Sequence, residues 1–158
     1  MSTLYVDNLE PNLGSQVEIP DLKPLAGSVV QHVTTGMFYT TFSTTSSGWS
    51  KTANEINITP LYSNSRIVIH FQAVFLNQGG EGRIRIYRDD AVDLTSGMTN
   101  PLIHGDYDGN GQYNPYTLQM VDTPNTTSPV NYALYASVAS STFYVYRGQI
   151  VSAWEIAQ

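Results

Sequence analysis

From residue 28 onward, apolar and polar side chains alternate with a period of two, broken at short intervals by turn residues. Residues 66–76 carry the clearest run. Ile67, Ile69, Phe71, Ala73 and Phe75 fall on one side, with Val68, His70, Gln72 and Val74 on the other. That spacing is the signature of a strand. Residues 82–88 repeat it, with Ile84 and Ile86 inward and Arg83, Arg85 and Tyr87 outward. In residues 130–138, Tyr132, Leu134, Ala136 and Val138 alternate with Asn131, Ala133, Tyr135 and Ser137. Shorter strands are predicted at 53–59, 91–94 and 116–121, with a final strand or hairpin over 142–157. Residues 28–33 and 37–42 are predicted to form a hairpin around Thr34-Thr35-Gly36, followed by a Ser/Thr-rich loop over 43–51. Turn chemistry punctuates the rest at Ser63-Asn64-Ser65, Asn77 to Gly80, Asp89-Asp90, the Gly- and Asn-rich stretch 95–115, and Ser140-Ser141. No segment has a helical period. The expectation is an all-β, antiparallel β-sandwich, jelly-roll-like, spanning residues 28–158. The order of its strands is not legible in the pattern.

Residues 1–27 read differently. Pro11, Gly14, Pro20 and Pro24 interrupt any long element, leaving two short alternating pieces, 3–6 and 16–19. This predicts an extended docking arm, with Leu4, Tyr5, Val6, Leu9, Val17 and Ile19 as the side chains that engage a partner. The first ten residues hold no basic residue and no apolar run, so no secretory signal is expected. The longest mainly apolar stretch, 67–76, falls far short of a membrane helix, which needs ~20 residues. A soluble chain with no membrane insertion is expected.

Composition changes the picture by exclusion. Of 158 residues only 13% are charged, the net charge is −6, and there is no cysteine. An acidic balance argues against nucleic-acid binding. The absence of cysteine removes disulfide scaffolds and thiolate metal sites. Thirty-one Ser and Thr, eleven Asn and eleven Tyr stand in place of charge. These residues suit strands, turns and contact with other chains.

Candidate chemistry is sparse. His32 and His70 fall in strands without a metal-binding spacing, and His104 stands alone. No nucleophile elbow or phosphate cradle is present, so no catalytic residue is assigned and no enzymatic activity is expected. Asp106-Tyr107-Asp108-Gly109-Asn110-Gly111 matches the first half of a calcium loop, with Asp106, Asp108 and Asn110 as ligands. Thr117 stands where the bidentate Glu belongs, so a plain turn-forming loop is the favoured reading, with calcium as the alternative cofactor. Trp49, Tyr107 and Tyr113 form a candidate ligand surface, since flat rings beside amides and carboxylates suit sugars. The same rings suit a subunit interface.

Several stretches resemble fibre, knob and capsid-decoration proteins of marine tailed bacteriophages of the cyanophage kind. They are Val6-Asp7-Asn8-Leu9 through Ile19-Pro20, residues 27–33, Ile58-Thr59-Pro60 with residues 63–69, Arg85 to Asp89, and the closing residues 150–156. Asp90 departs from the pattern, standing where glycine is expected. The resemblance implies a virion structural protein without enzymatic activity, homotrimeric, assembled in the host cytoplasm, and attached by its amino terminus to major capsid or tail proteins. The short arm suits a capsid decoration protein or a short fibre. The alternative is a receptor- or carbohydrate-binding module recognising a host surface glycan. A hydrolase acting through Asp106, Asp108 or Glu155 ranks third. Four of the thirteen acids lie in the first 21 residues and four of the seven basic residues lie between Arg66 and Arg88, an asymmetry that suits arm-to-knob contact.

Overall fold

The computed structural model describes residues 24–98, 103–106 and 113–158. The docking-arm residues Leu4, Tyr5, Val6, Leu9, Val17 and Ile19 lie outside them. Ten strands follow in chain order: β1 (Val29–Thr34), β2 (Phe42–Thr44), β3 (Ser50–Ile58), β4 (Arg66–Asn77), β5 (Glu81–Arg88), β6 (Val92–Asp93), β7 (Ile103–Asp106), β8 (Tyr113–Asp122), β9 (Val130–Val138) and β10 (Phe143–Ile156). All pair antiparallel.

They build two five-stranded sheets. The first runs β1-β10-β4-β8, with β2 sharing the free side of β10. The second runs β3-β9-β5, with β6 and β7 sharing the far side of β5. With the short β2 and β6 set aside, the first and last strands are neighbours and the early strands alternate between sheets. That is the order of a jelly roll, as expected.

The predicted alternation supplies the core. Ile67, Ile69, Phe71 and Phe75 of β4, with Val145 and Val151 of β10, face Ile56 and Ile58, Ile84 and Ile86, and Tyr132, Leu134 and Val138 of the second sheet. At one end the two sheets approach closely. Gly82 pairs with Val138 and Gly105, and the Phe143 ring occupies the space a Cβ would need, its Cε2 only 2.6 Å away.

The structure corrects the local predictions in three places. Residues 28–33 and 37–42 form no hairpin. β1 and β2 both pair with β10, and between them only Phe38 bridges to Gln149. A third strand that offers its whole length overrides the local turn. The predicted loop 43–51 contains most of β2 and the start of β3. The Gly- and Asn-rich stretch 95–115, read as turns, contains β7 and the start of β8. Of the strand or hairpin expected over 142–157 the strand forms, fourteen residues from 143 to 156. Arg147 and Gly148 sit in a bulge where the register shifts between Tyr146 and Ile150.

The Asp89-Asp90 turn forms as predicted. Both residues have left-handed backbones (φ 51° and 56°), and the Ala91 amide donates to Arg88 O at 3.1 Å. This is the type I′ geometry that favours glycine, the residue expected at position 90.

Candidate functional site

The two outer faces of the sandwich differ sharply. On the first sheet, cross-strand pairing builds rows. His32, Trp154, Val68 and Val121 form one, and Thr34, Ser152, His70 and Gln119 the next. Ile150, Gln72 and Thr117 follow, then Tyr146, Val74 and Pro115, then Tyr144, Leu76 and Tyr113. Among side chains described on this face only Arg66, at the far end of β4, carries a fixed charge.

Rings concentrate at both ends. His32 stacks on Trp154 with centroids 4.9 Å apart and planes 10° from parallel, and His70 tilts against the same indole at 6.0 Å. At the other end Tyr113 meets Tyr146 edge-on at 4.9 Å, with Tyr144 5.7 Å beyond. The Tyr113 hydroxyl and, after it, burial push the Tyr146 phenol above its ordinary value. Val68, His70, Gln119, Trp154 and Ile156 line a shallow depression of about 320 Å³. Its indole and imidazole rings stand beside an amide, with no ionic side chain among the described lining residues.

The outer face of the second sheet is ionic and internally paired. Lys51 contacts Glu55 and Asp90, both at 2.8 Å. Hydrogen bonds to Asp90 and then Glu55 raise the Lys51 ammonium above its ordinary value, and Lys51 in turn holds the Asp90 carboxyl low. Arg83 pairs with Glu81 at 2.5 Å. Arg85 pairs with Asp93 and lies over the Trp49 ring, 4.6 Å from its centroid. Tyr87 and Tyr135 contact at 4.4 Å.

Arg88 reaches across to the first sheet, donating to both oxygens of Asp122 at 3.0 and 2.8 Å, and the buried Tyr132 hydroxyl donates to the same carboxylate at 2.8 Å. Burial, and after it the Asp122 charge, drive the Tyr132 phenol far above its ordinary value.

The predicted ligand surface does not come together among the described residues. Trp49 stands against Arg85 on the second sheet, while Tyr113 meets Tyr146 on the outer face of the first. Tyr107 lies outside the described residues. So do Asp108 and Asn110 of the predicted calcium loop. Asp106 ends β7, its backbone paired with Glu81.

His32 and His70, far apart in sequence, meet through Trp154. That cluster was missed, although one signal was available: β4 is apolar on both sides. The outward positions of this strand include Val68, Val74 and Leu76.

Glu155, third-ranked as a hydrolytic carboxylate, is fully buried and points inward. It accepts from the Leu61 amide on both oxygens at 2.9 Å, from the Tyr62 amide at 3.0 Å and from Ser65 Oγ at 2.7 Å. With its amide nitrogen turned toward acceptors, Gln31 donates to Glu155 Oε2 at 3.2 Å and to Thr59 O at 3.1 Å. The carboxylate ties down the crossover from β3 to β4.

No family model and no curated protein matches the sequence. Among solved structures, the chain is similar to one in the structure of the infectious bursal disease virus Gx strain. The TM-score is 0.37 at 10% identity, covering 97% of this chain and 42% of that one. The chain thus spans less than half the length of that viral protein.

Proposed function

We propose that this chain is a non-enzymatic structural protein of a virion. It would be a jelly-roll knob that packs against other protein chains through the outer face of its first sheet, anchored to capsid or tail proteins by residues 1–27. The observation that carries this reading is the contrast between the two outer faces. Ion pairs satisfied within the chain mark the second sheet as a solvated face. Rings, aliphatic side chains and uncharged polar groups make up the first, the make-up of an interface core, where charge is depleted and aromatic residues are enriched. The tailed-phage resemblance supports the same assignment and adds the expectation of a homotrimer, in which three copies bring one face to a threefold axis. Jelly rolls serve capsids, lectins and cupins alike, so the fold itself does not choose among them.

Deleting residues 1–20 tests the arm. Virions assembled with the truncated chain are expected to lose the knob, scored by immunoblot of purified particles. Undiminished attachment would overturn the docking role.

A carbohydrate-binding reading is favoured by the depression beside Trp154, which offers an indole, an imidazole and an amide to a neutral sugar ring. Specific binding on a glycan array, lost in Trp154→Ala, would move the assignment from structural knob to receptor-binding module.

A further inference from the structure

We propose that the cleft bordered by Pro24 at one end of the sandwich is the seat of the chain's own Leu22, and that this intramolecular contact pre-orders the root of the docking arm. The seat stands on the geometry of the cleft, and its consequence rests on the reading of residues 1–27 as an arm.

The cleft is preformed. Pro24, Tyr62, Asn64, Ala157 and Gln158 line a space of about 180 Å³. An apolar cavity of ~150 Å³ holds a benzene-sized group, so there is room for a leucine side chain. Backbone hydrogen bonds pin the walls. Ala157 O accepts from the Gly27 amide at 2.8 Å, the Ala157 amide donates to Ser28 O at 3.0 Å, and the Tyr62 amide donates to Glu155 at 3.0 Å. The Ser28 amide donates to Leu25 O at 3.0 Å and Gly27 has a φ of 86°, so a tight turn fixes the point at which Pro24 enters.

Chain connectivity names the occupant. Pro24 is itself a wall of the cleft, so Leu22 lies within two residues of it, about 7 Å of extended chain. The residue before a proline is held out of the helical region and in the extended one, and Lys23 is that residue. On extended backbone every second side chain shares a side. Leu22 therefore follows Pro24 toward the cleft, while Asp21 and Lys23 turn to solvent, where their charges stay hydrated. The lining suits a leucine and its backbone. The Tyr62 and Pro24 rings and the Ala157 methyl group are apolar, and Asn64 and Gln158 bring side-chain amides to the flanking peptide groups.

The consequence concerns docking. Attachment must order the segment that docks, and each backbone residue ordered beforehand lowers that cost. A seated root leaves residues 1–19 as the part still to be ordered and gives the arm one direction in every copy. Releasing the root weakens docking by about tenfold for each residue freed.

The test is thiol reactivity on the full chain, which has no cysteine of its own. Asp21→Cys, Leu22→Cys and Lys23→Cys are reacted separately with a chromogenic disulfide reagent, each rate taken relative to its rate in urea. The expected pattern alternates. Position 22 reacts about tenfold more slowly than positions 21 and 23, and adding Tyr62→Ala to Leu22→Cys abolishes the protection. Equal rates at the three positions overturn the seat. Protection that survives Tyr62→Ala overturns the choice of cleft, and protection that falls on dilution assigns the occupant to another copy and overturns the intramolecular contact. Docking is read on virions assembled from equal amounts of tagged wild-type and variant chains, with circular dichroism as a fold control. Leu22→Asp and Tyr62→Ala should each be under-represented by about tenfold. A loss for Leu22→Asp alone means that Leu22 meets the partner directly, and overturns pre-ordering. Alternating protection in a chain that still attaches undiminished after deletion of residues 1–20 overturns the docking consequence and leaves the seat.

Discussion

Replacing Glu155 with alanine tests the claim that a buried carboxylate holds the β3–β4 crossover. The substitution takes the carboxylate from four donors: the Leu61 and Tyr62 amides, the Ser65 hydroxyl and the Gln31 side-chain amide, which keeps Thr59 O. A hydrogen bond to a charged group contributes about 1.5–3 kcal/mol, but the losses do not add. Leu61 and Tyr62 are 56% and 38% exposed, so water can reach their amides once the carboxylate is gone. Ser65 is fully buried and has no such recourse. Removing the buried ion also relieves its own desolvation, which offsets part of the loss. The net cost is about 2–4 kcal/mol, or roughly 5–15 °C in Tm for a domain of this size. Glu155→Gln should be milder, about 1 kcal/mol. It keeps one oxygen for Tyr62 and Ser65, and Gln31 can turn its amide to accept from the new nitrogen. Urea denaturation followed by tryptophan fluorescence measures both. A cost below about 1 kcal/mol for alanine, or a glutamine variant as damaged as the alanine one, would refute the clamp.

Gly82→Ala would push a methyl group into the Phe143 ring across the sandwich. It should cost about 1–3 kcal/mol by overpacking, and Phe143→Leu should recover part of that in the double variant; additive losses would show that the two positions do not meet. The Tyr132 phenol is raised by burial and by Asp122. Its contribution to stability is therefore full below the unfolded-state value of about 10 and declines as pH rises above it. Tyr132→Phe should make the alkaline limb of a stability-versus-pH curve shallower, and an unchanged limb would count against the assignment. At Asp90, glycine suits the left-handed backbone, and the exposed Lys51 pair it gives up is screened by water. Asp90→Gly should thus stay within about 1 kcal/mol of wild type, while Asp90→Val, β-branched at positive φ, should cost about 1–3 kcal/mol. Equal Tm shifts for the two would contradict the turn geometry.

The fold was legible where one chain segment determines its own faces. The alternation in β4, β5 and β9 names the core side chains correctly, because the side-chain period of a strand is fixed whatever it pairs with. Pairing is a different matter. Thr34-Thr35-Gly36 is adequate hairpin chemistry, yet β10 takes both flanking segments. Its fourteen residues accept β1 at one end and β2 at the other. Nothing local to residues 28–42 records that competition. The site follows the same logic. Tyr107 and Tyr113 were grouped with Trp49 because they are aromatic and sit in loops, but Trp49, in the loop before β3, packs on Arg85 of the second sheet, while Tyr113 stands on the first. The aromatic groups that do assemble, His32 with Trp154 and His70, and Tyr113 with Tyr144 and Tyr146, are made by cross-strand register between segments distant in sequence. Their individual outward positions are readable from alternation, and their meeting is not. A polar histidine between Ile69 and Phe71 therefore reads as a satisfied strand residue until β10 is laid beside it. Only then do two imidazoles share one indole.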